Sequence, residues 1–100
     1  MDINVQELKQ RLDNQEELVL IDVREPHEHE EYNVGGQLVP VGTLIDQLDE
    51  LMQYKDQEVI VYCRSGNRSG VAQNILRQVG FSNVRNLEGG MLAWQEAFAV

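Results

Sequence analysis

Tyr62-Cys63-Arg64-Ser65-Gly66-Asn67-Arg68-Ser69-Gly70 holds the chain's one cysteine, among residues that would make a thiol react. An apolar β-branched run, Val59-Ile60-Val61, precedes it, and a segment with helical periodicity through Val71, Ile75, Leu76 and Val79 follows. This pattern predicts a strand, a short Gly-containing loop and a helix N-terminus. Backbone N–H groups and the positive end of a helix dipole converge at such a turn. Arg64 and Arg68 lie within five residues of the thiol. The setting lowers a thiol pKa and cradles an anion, which makes Cys63 a candidate nucleophile for an anionic substrate. The competing reading is a buried structural thiol at a strand end, a common fate of lone cysteines. Arg-Ser-Gly-Asn-Arg is a poor core sequence and a good anion nest, and it favours the reactive thiol.

Each loop residue has a chemical use. With Ser69 opening the helix, the amides between it and Cys63 can point at one centre, and Gly66 permits an unusual φ or a close approach of substrate. Arg64 and Arg68 are charge-assisted donors suited to oxyanions such as a sulfonate-like group or a phosphate. Ser65, Asn67 and Ser69 either hold the loop or hydrogen-bond the ligand.

The elements that must position this loop are short. Asn4 is placed to cap a first helix over about 5–13, with Glu7 three residues on. Leu18-Val19-Leu20-Ile21-Asp22-Val23 is too short for a helix and apolar enough for a strand buried on both faces. Pro26 suits the start of a short helix, and Gln37-Leu38-Val39 is a brief strand stopped at Pro40. Thr43 is expected to cap a helix to about Tyr54 that buries Leu44, Ile45, Leu48, Leu51 and Met52. A strand from Glu58 to Tyr62, a helix from Ser69 to Gln78 ended by Gly80, a strand over 83–86 and a terminal helix after Gly89-Gly90 complete the reading. Strands alternating with amphipathic helices imply an α/β fold with a largely parallel sheet covered on both faces. Sites in such sheets lie at the carboxyl ends of strands, where Cys63 stands.

The 100 residues form one expected domain, 1–100, with the hydrophobic (42%) and charged (25%) content of an ordinary globular protein. No apolar run approaches the ~18 residues of a membrane span, and the N-terminus lacks signal-peptide character. A single cysteine excludes an internal disulfide and the multi-Cys metal motifs, and the cytoplasm is the expected compartment. A net charge of −9 argues against nucleic acid and anionic membranes as partners. Residues 1–62 carry 4 Lys/Arg against 15 Asp/Glu, whereas residues 63–100 carry 4 Arg against 2 Glu. Positive charge is therefore concentrated from the cysteine loop onward, where it can draw a small anion.

Three other pairs have two readings each. His27 and His29 in Pro-His-Glu-His-Glu-Glu invite a metal, but imidazoles two apart on a helix diverge, and a solvated acidic segment is expected. Asp22 and Arg24 end a buried strand near the site and either order the loop by ion pairing or cap the sheet. Trp94 and Met91 are expected in the core rather than at the substrate.

Cys63-Arg64-Ser65-Gly66-Asn67-Arg68-Ser69 after an apolar strand resembles the active-site loop of the rhodanese family of sulfurtransferases. Leu20-Ile21-Asp22-Val23-Arg24-Glu25-Pro26 is similar to the family's early strand signature, and Gly80 through Trp94 to its C-terminal signature. The three blocks keep the family's order and span nearly the whole chain. The resemblance implies a three-layer, single-domain rhodanese-like fold, with a five-stranded, mainly parallel sheet between helices. It implies that Cys63 carries sulfur as a persulfide while Arg64, Ser65, Gly66, Asn67 and Arg68 enclose it and bind the donor. The implied partners are a small anionic donor such as thiosulfate and a thiol or protein acceptor, with no cofactor and no metal. One departure bears on the strand edge and pocket shape: Asn33-Val34-Gly35-Gly36-Gln37-Leu38 stands where family members often have Gly-His-Ile-x-Gly-Ala. The rival chemistries are a non-catalytic interaction or redox-sensing module and a cysteine phosphatase or arsenate-type enzyme. Cysteine phosphatases related to this fold use Cys-x5-Arg loops, whereas four residues separate Cys63 from Arg68 here, a tighter nest that suits a persulfide better than a phosphoryl group.

Overall fold

Alternating apolar positions decide which way each strand faces, and the two sets they define become two cores. A computed structural model of the chain describes residues 1–98. Helix α1 (Val5–Asp13) leads to strand β1 (Val19–Asp22), α2 (Pro26–Glu31) and β2 (Gln37–Leu38). Helix α3 (Leu48–Leu51) lies within a run of 3-10 turns, followed by β3 (Glu58–Tyr62), α4 (Asn67–Gln78), β4 (Asn83–Asn86) and α5 (Gly90–Phe98). The strands form one parallel sheet in the order β2-β1-β3-β4, with Val19 to Asp22 opposite Val59 to Tyr62. Among the described residues no helix is long and apolar enough to cross a membrane.

Successive strand residues point to opposite faces. Ile21, Val23, Val59, Val61 and Cys63 join Leu44, Leu51, Ala72, Leu76 and Phe81 in one core, beneath α3 and α4. Leu20, Ile60 and Tyr62 join Val5, Leu8, Leu87, Met91 and Trp94 in the other, beneath α1 and α5. Both faces of the sheet are thus covered, as the continuous apolar runs require. Met91 and Trp94 are buried, as expected.

Two expectations are corrected. Among the described residues the sheet has four strands rather than five, and the fifth position is reduced to one parallel bridge between Ile3 and Leu87. Asn4 caps α1, its side chain accepting from the Glu7 N–H at 2.8 Å, so the chain turns from the bridge at Ile3 directly into the helix. The expected continuous helix over 43–54 is instead two 3-10 turns, Ile45–Gln47 and Met52–Tyr54, around the single α-turn of α3, after a further 3-10 turn at Val41–Thr43. Thr43 does not cap it, since its hydroxyl donates back to the Pro40 carbonyl at 2.9 Å. This tighter winding buries Leu44 and Leu51 but leaves Ile45 68% and Met52 37% exposed.

Candidate active site

β3 delivers Cys63 to the carboxyl end of the sheet, and the chain then turns sharply into α4. Gly66 makes the turn: its φ of 103° is left-handed backbone that a side chain would strain, and it caps α4, which begins at Asn67, two residues before expectation. The turn aims backbone donors at the sulfur. The N–H groups of Gly66 and Ser69 reach Sγ at 3.1 and 3.3 Å, and the Ser69 hydroxyl lies 3.2 Å from it. Burial pushes the thiol up, but the Ser69 hydroxyl and the N–H groups of Ser69, Gly66 and Ser65 outweigh it and hold Cys63 below the ordinary thiol value.

The loop is fixed from behind by the next two elements. At the end of β4, Asn86 donates from Nδ2 to the Gly66 carbonyl at 3.1 Å and accepts from the Ser69 hydroxyl at 2.6 Å. The first N–H groups of α5 satisfy the loop's own carbonyls, Met91 donating to Cys63 and Leu92 to Arg64, both at 2.9 Å. Such close approach needs Gly90, where a Cβ would stand 2.5 Å from both carbonyl oxygens. Neither Asn86 nor Gly90 stands out as a site residue in the sequence. The available signal for Asn86 is a polar side chain at the carboxyl end of the strand beside β3.

The two loop arginines part company. Arg68 is held by a two-pronged pair with Glu28 of α2, at 2.7 and 3.0 Å. That pairing holds the Glu28 carboxyl well below its usual range, at about 2. Arg64 is exposed and makes no salt bridge among the described residues. It borders a cleft of about 280 Å³ whose lining includes Arg24, Glu28, Glu31, Tyr32 and one side of the otherwise buried Met91. The thiol lies under the loop, 1% exposed, while its neighbour Arg64 reaches the cleft.

Asp22 and Arg24 pair with each other rather than with the loop. Wholly buried Asp22 receives the Arg24 guanidinium at 2.8 Å and its backbone N–H at 3.0 Å. His29 Nδ1 lies 2.8 Å from the same carboxylate, and Arg24 also donates to the Tyr32 carbonyl at 2.7 Å. These bonds tie the end of β1 to α2, and the Glu28–Arg68 pair then ties α2 to the cysteine loop. The acidic segment is therefore not simply solvated: Glu28 and His29 turn inward, while His27 stays exposed. Of the residues singled out in the sequence, Cys63, Ser65, Gly66 and Ser69 meet at the sulfur. Arg64 flanks the cleft, and Asn67 is an exposed first residue of α4.

The rhodanese-like domain family matches residues 4–97 of the chain. A sulfurtransferase of Allochromatium vinosum is 37% identical over 94 residues, covering 93% of this chain and 86% of that protein. The Synechocystis protein slr1261 is 38% identical over 89 residues, 88% of this chain but 49% of that protein, so the chain spans about half of it. Among solved structures, a rhodanese-like domain protein from Staphylococcus aureus superposes with a TM-score of 0.82 at 31% identity, covering 94% of this chain and 91% of the other.

Proposed function

The chain belongs to the rhodanese-like family, and from that premise we propose that it is a sulfurtransferase working through a persulfide on Cys63. In the first step the Cys63 thiolate attacks the outer sulfur of thiosulfate or a similar anionic donor. A new S–S bond forms, the donor's own S–S bond breaks, and sulfite leaves with the bonding electron pair. In the second step an acceptor nucleophile, such as a thiol or a protein sulfur carrier, attacks the outer sulfur and Cys63 leaves as thiolate. No redox cofactor is needed for either step. The chain has no second cysteine, so the acceptor comes from outside it.

The observation that carries this reading is the set of donors converging on Sγ, in a loop whose Arg64 has no carboxylate partner among the described residues. Preorganised N–H groups stabilise negative charge on sulfur without reorganising during the reaction. Arg64 is the loop arginine open to an incoming anion, and Arg68 positions the loop through Glu28. Asp22 and Arg24 act at one remove, by fixing α2.

Mass spectrometry after incubation with thiosulfate tests the proposal. A gain of about 32 Da, one sulfur atom, on wild type and none on Cys63→Ser is the expected result. An unmodified wild-type chain under turnover conditions would overturn it. The phosphatase alternative predicts turnover of aryl phosphates dependent on Cys63, and the loop of four intervening residues argues against it.

A further inference from the structure

The Ser69 hydroxyl has one proton and two neighbours that can take it. Cys63 Sγ lies 3.2 Å away and Asn86 Oδ1 2.6 Å away. We propose that the sulfur of Cys63 and the side chain of Asn86 compete for this proton, which makes Asn86 a positioning residue that sets how firmly an anionic sulfur is held. The inference rests on the reading of Cys63 as the reacting thiol.

The amide geometry fixes the starting state. Asn86 Nδ2 donates to the Gly66 carbonyl at 3.1 Å, so the oxygen of the amide is the atom turned to Ser69. An amide oxygen only accepts, and at 2.6 Å it takes the hydroxyl proton. With the thiol neutral, its S–H donates to Ser69 Oγ, and the chain from sulfur to hydroxyl to amide is satisfied throughout. Ser69 is wholly buried, and Asn86 is half-buried. The hydroxyl is therefore shielded from water.

Ionisation breaks this arrangement. When the thiol proton goes to solvent, a hydroxyl still turned to Asn86 presents its lone pairs to a negative sulfur. Rotation about the Ser69 Cβ–Oγ bond brings the proton to sulfur, and no proton leaves the serine. The bond gained is to a charged acceptor and is the stronger of the two, but Asn86 Oδ1 loses its partner. The Gly66 and Ser69 N–H groups are free of this conflict, because a backbone donor has no second lone-pair role. Asn86 thus opposes the anion through Ser69 while supporting it through Gly66.

The two effects have opposite signs, and titration separates them. Ultraviolet thiolate absorbance against pH is measured for wild type, Ser69→Ala, Asn86→Ala and the double variant. Ser69→Ala should raise the midpoint by roughly half to one pH unit, the size of one hydrogen bond. Losing the Gly66 anchor acts alike in both backgrounds, so the quantity read is the difference between the two Asn86→Ala shifts. The shift should be lower in the presence of Ser69 than in its absence. Equal shifts in both backgrounds, or a lowered midpoint in Ser69→Ala, overturn the competition.

A measurement on the unmutated site covers the case in which a variant fails to fold. The Asn86 side-chain amide resonances should move with the Cys63 midpoint, and they should stay still in Cys63→Ser. Resonances that do not move across the wild-type thiol titration also overturn the proposal. Neither experiment uses a sulfur donor. A chain that takes up no sulfur would sink the sulfurtransferase reading and leave the competition standing, and failed coupling would leave a persulfide adduct untouched.

Discussion

Arginines at the two ends of the sheet are answered by unequal numbers of carboxylates. At the amino end, Arg11 bonds Glu58 at 2.6 Å and Glu16 at 2.9 Å, and Arg85 bonds Glu7 at 2.8 Å and Glu58 at 3.0 Å. Each of these arginines meets at least two carboxylates, and together they join α1, β3 and β4. At the carboxyl end Arg24 has Asp22, Arg68 has Glu28, and Arg64 has none among the described residues. The first cluster neutralises itself and has no positive charge to offer a ligand. The second leaves the cation next in sequence to Cys63 without a carboxylate, in an otherwise acidic molecule. Incomplete pairing, more than the presence of charge, separates a site from a brace.

The deepest test of this contrast removes the nucleophile. Cys63→Ser should lower sulfur transfer by roughly a thousand-fold or more, because a hydroxyl is not ionised at neutral pH and forms no persulfide. The unfolding midpoint should barely change, since the Gly66 and Ser69 N–H groups can donate to an oxygen instead. Steady-state rates with thiosulfate and a denaturant titration check the two halves. Substantial residual transfer would place the chemistry elsewhere, and the chain has no other thiol.

Arg64 and Arg85 then sharpen the comparison from opposite sides. Arg64→Ala should reduce kcat/KM for thiosulfate by roughly 10–100-fold, the loss of one charge-assisted bond, with unchanged stability. Arg64→Lys should recover part of it, keeping the charge but losing the planar fork. Arg85→Ala should do the reverse. It takes the closer of two arginines from Glu7, leaves Glu58 to Arg11 alone and frees the Met1 carbonyl, so unfolding should need about 1 kcal/mol less for these partly exposed pairs. Its kcat/KM should stay within about two-fold of wild type, because the residue touches nothing at the site. A catalytic loss in Arg85→Ala equal to that in Arg64→Ala would erase the distinction between the two ends.

The same contrast explains what the sequence made legible. β1 and β3 are readable because their apolar runs are short and dictated by burial on both faces, a demand that acts within a few residues. The cysteine loop was readable for a similar reason: strand, loop and helix start are contiguous, so the donors on Sγ come from residues within six positions of it. The partners that complete the site are remote. Glu28 meets Arg68 across 40 positions and Asn86 meets Ser69 across 17, distances closed only by the parallel crossovers. No local pattern marks one glutamate in Glu25-Pro26-His27-Glu28-His29-Glu30-Glu31 as the one that turns inward. The irregular 43–54 segment is not legible in the sequence because α and 3-10 windings share the i+3 spacing of Leu48 and Leu51. The fifth strand comes from family resemblance, and at that edge the described residues hold a single bridge at Ile3, directly before Asn4 caps α1.

The smallest expected effect concerns the Glu28–Arg68 pair, which belongs to the carboxyl end but resembles the brace. Arg68 holds the Glu28 carboxyl at about 2 against an ordinary value of 4.5. A carboxyl depressed on folding binds fewer protons folded than unfolded, so its stabilisation is complete above pH 4.5 and is lost as pH falls through about 2. Glu28→Gln should therefore be less stable than wild type by a constant amount near neutrality, about 1 kcal/mol for a partly exposed pair. The difference should shrink below pH 4.5 and vanish only below about pH 2. Unfolding measured at several pH values checks this course. The variant also reports on the site, because Arg68 released from Glu28 becomes a second cation beside Arg64. If pairing keeps Arg68 from the donor, Glu28→Gln should bind thiosulfate at least as well as wild type despite its lower stability. If binding instead falls in step with Arg64→Ala, the pair is part of the anion site, and the line between site and brace must be drawn on the other side of Arg68.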